Sequence, residues 1–160
     1  MKQYAKIKPI KQRDDSACGP ASIQMICSYF EVPHSYPQIV KTANYKRSDG
    51  MSNTELVTAF RKLGFSVREK RKLTWAQLSK LNTKERVLVV SWMLKGYIGH
   101  FSVVDRVTKT HIYLADPETG KIEKLDKVIF IRLWFDYDDL WYPEKSSDIK
   151  LRWAAVVSRP

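Results

Sequence analysis

The sequence predicts an α+β fold. Apolar residues recur at helical spacing through most of the first half, and β-branched runs broken by short polar turns fill the second. With 160 residues, the chain has the length of one domain, residues 1–160, and can bury a core without disulfide staples. The expected architecture is an N-terminal helical part packed on a C-terminal antiparallel sheet.

The first helix begins near Cys18 and stops before Pro33. Ile23, Ile26, Cys27 and Phe30 supply its apolar face at i, i+3, i+4 and i+7. A second helix covers Tyr36 to Ala43, with Ile39, Val40 and Ala43 inward. A third runs from Ser52 to Leu63. Ser52 stands three residues before Glu55, the spacing at which each side chain can satisfy the other's backbone N–H. Gly64 then provides the stop. A short helix covers Thr74 to Leu81.

Among the strands, Arg86 to Met93 is a continuous apolar run, as a strand covered on both faces requires. His100 to Val107 and His111 to Ala115 form a hairpin, and Lys121 to Leu125 follows the Pro117–Gly120 turn. Val128 to Phe135 and Arg152 to Val157 are further expected strands. Asp136 to Asp148 is the irregular excursion.

Composition narrows the function. A content of 44% hydrophobic and 12% aromatic residues excludes a disordered chain, a coiled coil and a collagen-like fibre. The formal charge of +11 suits an anionic partner such as an acidic peptide. Two basic clusters, Lys2 to Arg13 and Arg61 to Lys72, could track phosphates. Without a helix-turn-helix, zinc-finger or RNP pattern, however, a nucleic-acid partner is not expected. The N-terminus lacks the apolar core of a secretory signal, and Val87 to Leu94 is too short to span a bilayer, so no transmembrane segment and a cytoplasmic location are expected.

The two cysteines are Cys18 and Cys27. On one helix they stand roughly 13 Å apart on opposite faces. A disulfide needs Cα atoms within about 7 Å. Two free thiols are expected, with no metal site and no cofactor.

The most informative stretch is Gln12-Arg-Asp-Asp-Ser-Ala-Cys18-Gly-Pro-Ala-Ser. It places a cysteine where a helix starts, and the partial positive charge of a helix N-terminus favours a thiolate nucleophile. Gly19 keeps the approach to the sulfur open, and Pro20 fits the first turn. The competing reading of Cys18 is an inert buried thiol.

A nucleophile needs a base. His34 is most simply a loop residue. With Thr108-Lys109-Thr110 as the hairpin loop, Val107 faces His111 and Asp116 faces Ser102. That register puts Asp116 on the sheet face of His100, one diagonal step away, and puts His111 on the other face. A slip of one residue would separate the pair.

Gln12 six residues before Cys18-Gly19, the helix IQMICSYF, then Gly-His100-Phe-Ser-Val-Val and Ala-Asp116-Pro117 together resemble the C39 peptidases. These are papain-like cysteine peptidases, best known as cytoplasmic domains of bacteriocin-exporting transporters. The likeness runs over about residues 5 to 120 and fades after Lys127, where Phe135 and Trp141 stand in for a late aromatic pair.

The resemblance implies a papain-like fold and a catalytic set. Cys18 is the nucleophile, His100 the general base and acid, and Asp116 the residue that orients His100. Gln12 is an oxyanion donor beside the Cys18 N–H. It further implies a peptide or protein substrate, leader-peptide processing after a small-residue pair, and an exporter or membrane partner. Trp92, Tyr97 and Phe101 could narrow the subsites, although core packing explains Phe101 equally well. A non-catalytic peptide-binding module and a cysteine-dependent amide acyltransferase are the alternatives.

Overall fold

The computed structural model describes residues 4–137 and 142–160; Trp141 lies outside them. Its helices are α1 (Cys18–Tyr29), α2 (Tyr36–Thr42), α3 (Asn53–Lys62), α4 (Trp75–Leu81) and α5 (Lys127–Leu133). Its strands are β1 (Ser66–Lys70), β2 (Arg86–Leu94), β3 (Ile98–Val107), β4 (His111–Asp116), β5 (Lys121–Asp126), β6 (Phe135–Tyr137), β7 (Ile149–Leu151) and β8 (Ala154–Ser158). Six strands form one antiparallel sheet in the order β1-β8-β2-β3-β4-β5. The strands β6 and β7 pair separately.

The helices α1 to α4 start where the sequence places them. Ser52 and Glu55 cap α3 reciprocally, and Ser35–Gln38 and Thr74–Gln77 do the same for α2 and α4. The sheet is covered on both faces, as the unbroken burial of Val87 to Met93 requires. One face packs Val87, Val89, Phe101 and Val103 against α1, α2 and α3. The other packs Leu88, Val90, Trp92 and Val104 against Leu78 of α4 and Phe130 of α5.

One local reading is corrected, and one strand is added that the sequence did not place. Val128 to Leu133 is helix, not strand. The Asp126 carboxylate accepts from the N–H groups of Val128 and Ile129 at 2.8 and 3.3 Å and so nucleates α5 against its β-branched composition. Phe130 is the residue that α5 buries, while Val128 and Ile129 stay exposed. Ser66–Lys70 is strand, an edge that pairs only with β8 and buries only Val67. Four exposed residues in five leave almost no alternation to read.

The hairpin register also differs at its loop. Val107 pairs with Ile112, not His111, and Arg106 pairs with Tyr113. The register shifts between Val104 and Arg106, so Asp105 is the extra residue of a β-bulge. Past the bulge Val104 faces Leu114 and Val103 faces Ala115. One further step brings Asp116 opposite Ser102, as expected. Had the loop-end register continued, Asp116 would oppose Val103 and point to the wrong face. The Asp105 carboxylate accepts from the Ile7 N–H at 2.9 Å, which ties the N-terminal segment to the bulge.

Candidate active site

Cys18 opens α1, half-buried, with Ala17 at the cap position and no side chain capping the helix. The Cys18 and Gly19 N–H groups therefore carry no side-chain cap, while Pro20 has no N–H to satisfy and the Ala21 N–H bonds the Ala17 carbonyl at 3.1 Å. Pro20 sits in that first turn, and the Ser22 hydroxyl donates to the Cys18 carbonyl at 2.7 Å. A Cβ on Gly19 would lie 2.5 Å from the Met51 sulfur, so Met51 occupies the space that glycine leaves. Glycine here thus serves packing as well as access.

The approach to Cys18 is braced by a residue pair the sequence did not reveal. The Asp14 carboxylate accepts from the Ser16 N–H at 2.9 Å and from the Tyr45 hydroxyl at 2.6 Å. Burial, then the Asp14 hydrogen bond and charge, push the Tyr45 pKa up. An Asp-x-Ser turn is legible in sequence; a tyrosine 31 residues further on is not.

His100 and Asp116 meet on one face of the sheet. His100 Nε2 lies 2.5 Å from Asp116 Oδ1, and both residues are buried, at 4% and 3% exposure. Asp116 Oδ1 also accepts from the Glu118 N–H at 3.1 Å. Burial pushes the His100 pKa down, but hydrogen bonds to Asp116 and Cys18 and the charges of both outweigh it and raise it to about 9. Since Nε2 is taken by Asp116, the ring presents Nδ1 to the Cys18 sulfur. His100 therefore carries its proton at neutral pH.

Cys18 and His100 open into one cleft of about 750 Å³, with Tyr97, Phe101 and Asp136 among its lining residues. Phe101 is core as well as lining, and Trp92 is buried against His100. Tyr97 is exposed at the rim. Asp136 accepts from the Ser91 hydroxyl at 2.6 Å and would stand 3.1 Å from a Cβ on Gly99. That carboxylate, from the stretch expected to be irregular, is a cleft residue the sequence did not point to.

Gln12 is placed beside this assembly but does not line the cleft. Its N–H donates to the Pro117 carbonyl at 2.8 Å, directly after Asp116. Gly120 lets the turn lie against Lys11, whose backbone N would be 3.2 Å from an added Cβ. The Gln12 Oε1 is buried and has no partner among the described residues. His111 bonds Thr110 on the far face, and His34 is half-buried in its loop with Nε2 unpartnered among the described residues.

Cys27 is free and buried, and burial raises its pKa to about 11. Among the described residues no group of His, Cys, Asp and Glu is arranged to hold a metal ion. Likewise no helix is long and apolar enough to cross a membrane.

The fold has solved counterparts. A double-glycine-motif protease from an AMS/PCAT transporter, crystallised with a leader peptide, aligns at TM-score 0.74 and 21% identity over 99% of this chain and 95% of its own. The peptidase domain of Streptococcus ComA, a bifunctional ABC transporter of a quorum-sensing pathway, aligns at TM-score 0.74 and 18% identity over 98% and 100%. A putative C39-like peptidase from Bacillus anthracis gives 0.71 and 14% over 100% and 98%. These likenesses establish the papain-like α+β fold. No curated protein sequence matches. The family model described as the peptidase C39 family matches residues 6–138, most of the chain, and the chain belongs to that family of cysteine peptidases.

Proposed function

We propose that this protein is a cysteine peptidase that cleaves peptide bonds through Cys18, His100, Asp116 and Gln12. The observation that carries the reading is the placement of His100, held by Asp116 through Nε2 and turned through its other nitrogen toward a cysteine in the same open cleft. A protonated imidazole beside a sulfur at a helix start favours the thiolate–imidazolium pair that such enzymes use.

The Cys18 thiolate attacks the scissile carbonyl carbon and forms the C–S bond, moving the carbonyl electron pair onto oxygen. The Cys18 N–H and the Gln12 side-chain amide donate to that oxyanion. Each such donor lowers the barrier by roughly 3 kcal/mol. Gln12 is held next to the His100–Asp116 pair by its N–H bond to the Pro117 carbonyl, which supports this role. His100 gives its proton to the leaving amine as the C–N bond breaks. It then takes a proton from water, which attacks the thioester carbonyl; the C–S bond breaks, the acid product leaves and the thiolate–imidazolium pair is restored.

The substrate class proposed is a leader peptide cut after a small-residue pair, since a solved counterpart is a double-glycine protease bound to one. Tyr97 and Phe101 on the His100 side of the cleft are suited to narrow the subsites. The protein would act in the cytoplasm, as one domain, beside an exporter. The basic chain fits an acidic peptide.

Labelling with a thiol-directed peptide electrophile tests this. Modification is expected at Cys18 and not Cys27, and is lost in His100→Ala. Equal labelling of both thiols would defeat the proposal. Binding of the peptide without cleavage would favour a non-catalytic module, and transfer of the acyl group to an added amine in preference to water would favour an acyltransferase.

A further inference from the structure

The His100–Asp116 pair continues into a buried polar chain on the side away from Cys18. Trp92 stands directly opposite His100 on the neighbouring strand. Its ring lies edge-on to the imidazole, with centroids 5.8 Å apart. Its Nε1–H donates to the Ser102 hydroxyl at 3.0 Å, and that hydroxyl lies 3.5 Å from Asp116 Oδ1. Ser102 is fully buried and Trp92 nearly so.

The direction of the chain follows from its chemistry. An indole N–H can only donate, so it occupies a lone pair of the Ser102 oxygen. The hydroxyl proton is then free to point at the Asp116 carboxylate, which lies along the remaining direction. One tryptophan thus touches both members of the pair: His100 through its ring face-to-edge packing, and Asp116 through Ser102.

We propose that Trp92 and Ser102 are positioning residues, a clamp that fixes the Asp116 carboxylate beneath His100 and keeps water from the Nε2–Oδ1 bond. The proposal deepens the peptidase reading and rests on it for its effect on turnover. A carboxylate at 3% exposure depends on every donor it has. Removing the hydroxyl leaves Asp116 one donor short and also leaves the Trp92 N–H without its acceptor. The carboxylate is then freer to turn away from the imidazole, and His100 holds its proton less tightly.

The test is an NMR titration of His100 in the wild type, Ser102→Ala, Trp92→Phe and the double variant, with thermal melts to establish that each is folded. The phenyl ring keeps the packing and loses the N–H. Proton affinity of His100 is expected to fall about threefold to tenfold in each single variant. The double variant should fall no further than Ser102→Ala alone, because Trp92 acts through Ser102. In peptide cleavage the alkaline limb should move to lower pH, with kcat reduced several-fold and KM unchanged.

A folded Ser102→Ala protein whose His100 titrates as in the wild type overturns the clamp, and so does a fully additive double variant. If Ser102→Ala does not fold, Trp92→Phe decides by the same titration. A wild-type chain that neither cleaves nor labels would instead overturn the peptidase reading, and the titration would still decide the clamp.

Discussion

The helical wall of the cleft presents Cys18 half-exposed at the start of α1, whereas the sheet wall holds His100 and Asp116 at 4% and 3% exposure. The first wall is built locally. A proline in the first turn and the short Asp14–Ser16 turn bring the sulfur to the rim, and the more distant Met51 fills the space beside Gly19. The second wall is built from residues 16 apart in sequence, on two strands whose relative register changes between their loop and the site. The nucleophile must meet substrate, so exposure serves it. The proton carrier must hold a raised affinity, and a fixed charged acceptor supplies that against the opposing effect of burial. Local chain chemistry sets up the first task, with Tyr45 and Met51 bracing it from a distance; the second depends on long-range pairing from the outset.

Breaking each wall in turn should separate the two. The largest loss is expected on the helical side. Cys18→Ala should reduce cleavage by at least about 10³-fold with the melting temperature little changed, measured by peptide hydrolysis and calorimetry. On the sheet side, Asp116→Asn removes the charged acceptor that holds His100 Nε2. Turnover should fall on the order of 10²-fold, and the His100 pKa should drop from about 9. Circular dichroism would check that the sheet survives. An unchanged His100 titration in a folded Asp116→Asn variant would show that the carboxylate does not set the proton affinity.

A third experiment reads the sheet wall through stability. The His100 pKa is raised from 6.5 to about 9. The folded state therefore binds the proton more tightly than the unfolded one. The resulting stabilisation is fully present below about pH 6.5 and is lost as pH rises through about 9, a total of roughly 3 kcal/mol. Urea unfolding at pH 6 and pH 9.5 should show this loss in the wild type and not in His100→Gln.

The junction between the walls should respond more mildly. Gly120 has φ +68°, and an added Cβ would lie 2.8 Å from that of Lys11. Gly120→Ala is expected to cost about 1–2 kcal/mol. It should also lower kcat about tenfold with KM nearly constant, by lifting Gln12 from the Asp116–Pro117 turn. The smallest effect belongs to Thr74→Ala, which removes the α4 cap far from the cleft. It should cost about 1 kcal/mol in denaturant and leave cleavage unchanged.

Much of this molecule was readable before its structure. The chain itself specified α1 to α4, because caps such as Ser52–Glu55, the Pro33 stop and the spacing of Leu56, Ala59, Phe60 and Leu63 act within a few residues. It placed Cys18 at a helix start, kept Cys18 and Cys27 apart, and put His100 and Asp116 on strands that could pair. Tertiary structure decided the rest. It made helix of Val128 to Leu133, where burial of Phe130 and the Asp126 cap overrode β-branched composition. It inserted Asp105 as a bulge held by Ile7, and only that bulge brings Asp116 to the face of His100. It also buried the pair beneath Trp92 and Ser102. The physical reason is range: caps and periodicity are satisfied by neighbours along the chain, while register and burial depend on distant segments being in place at once.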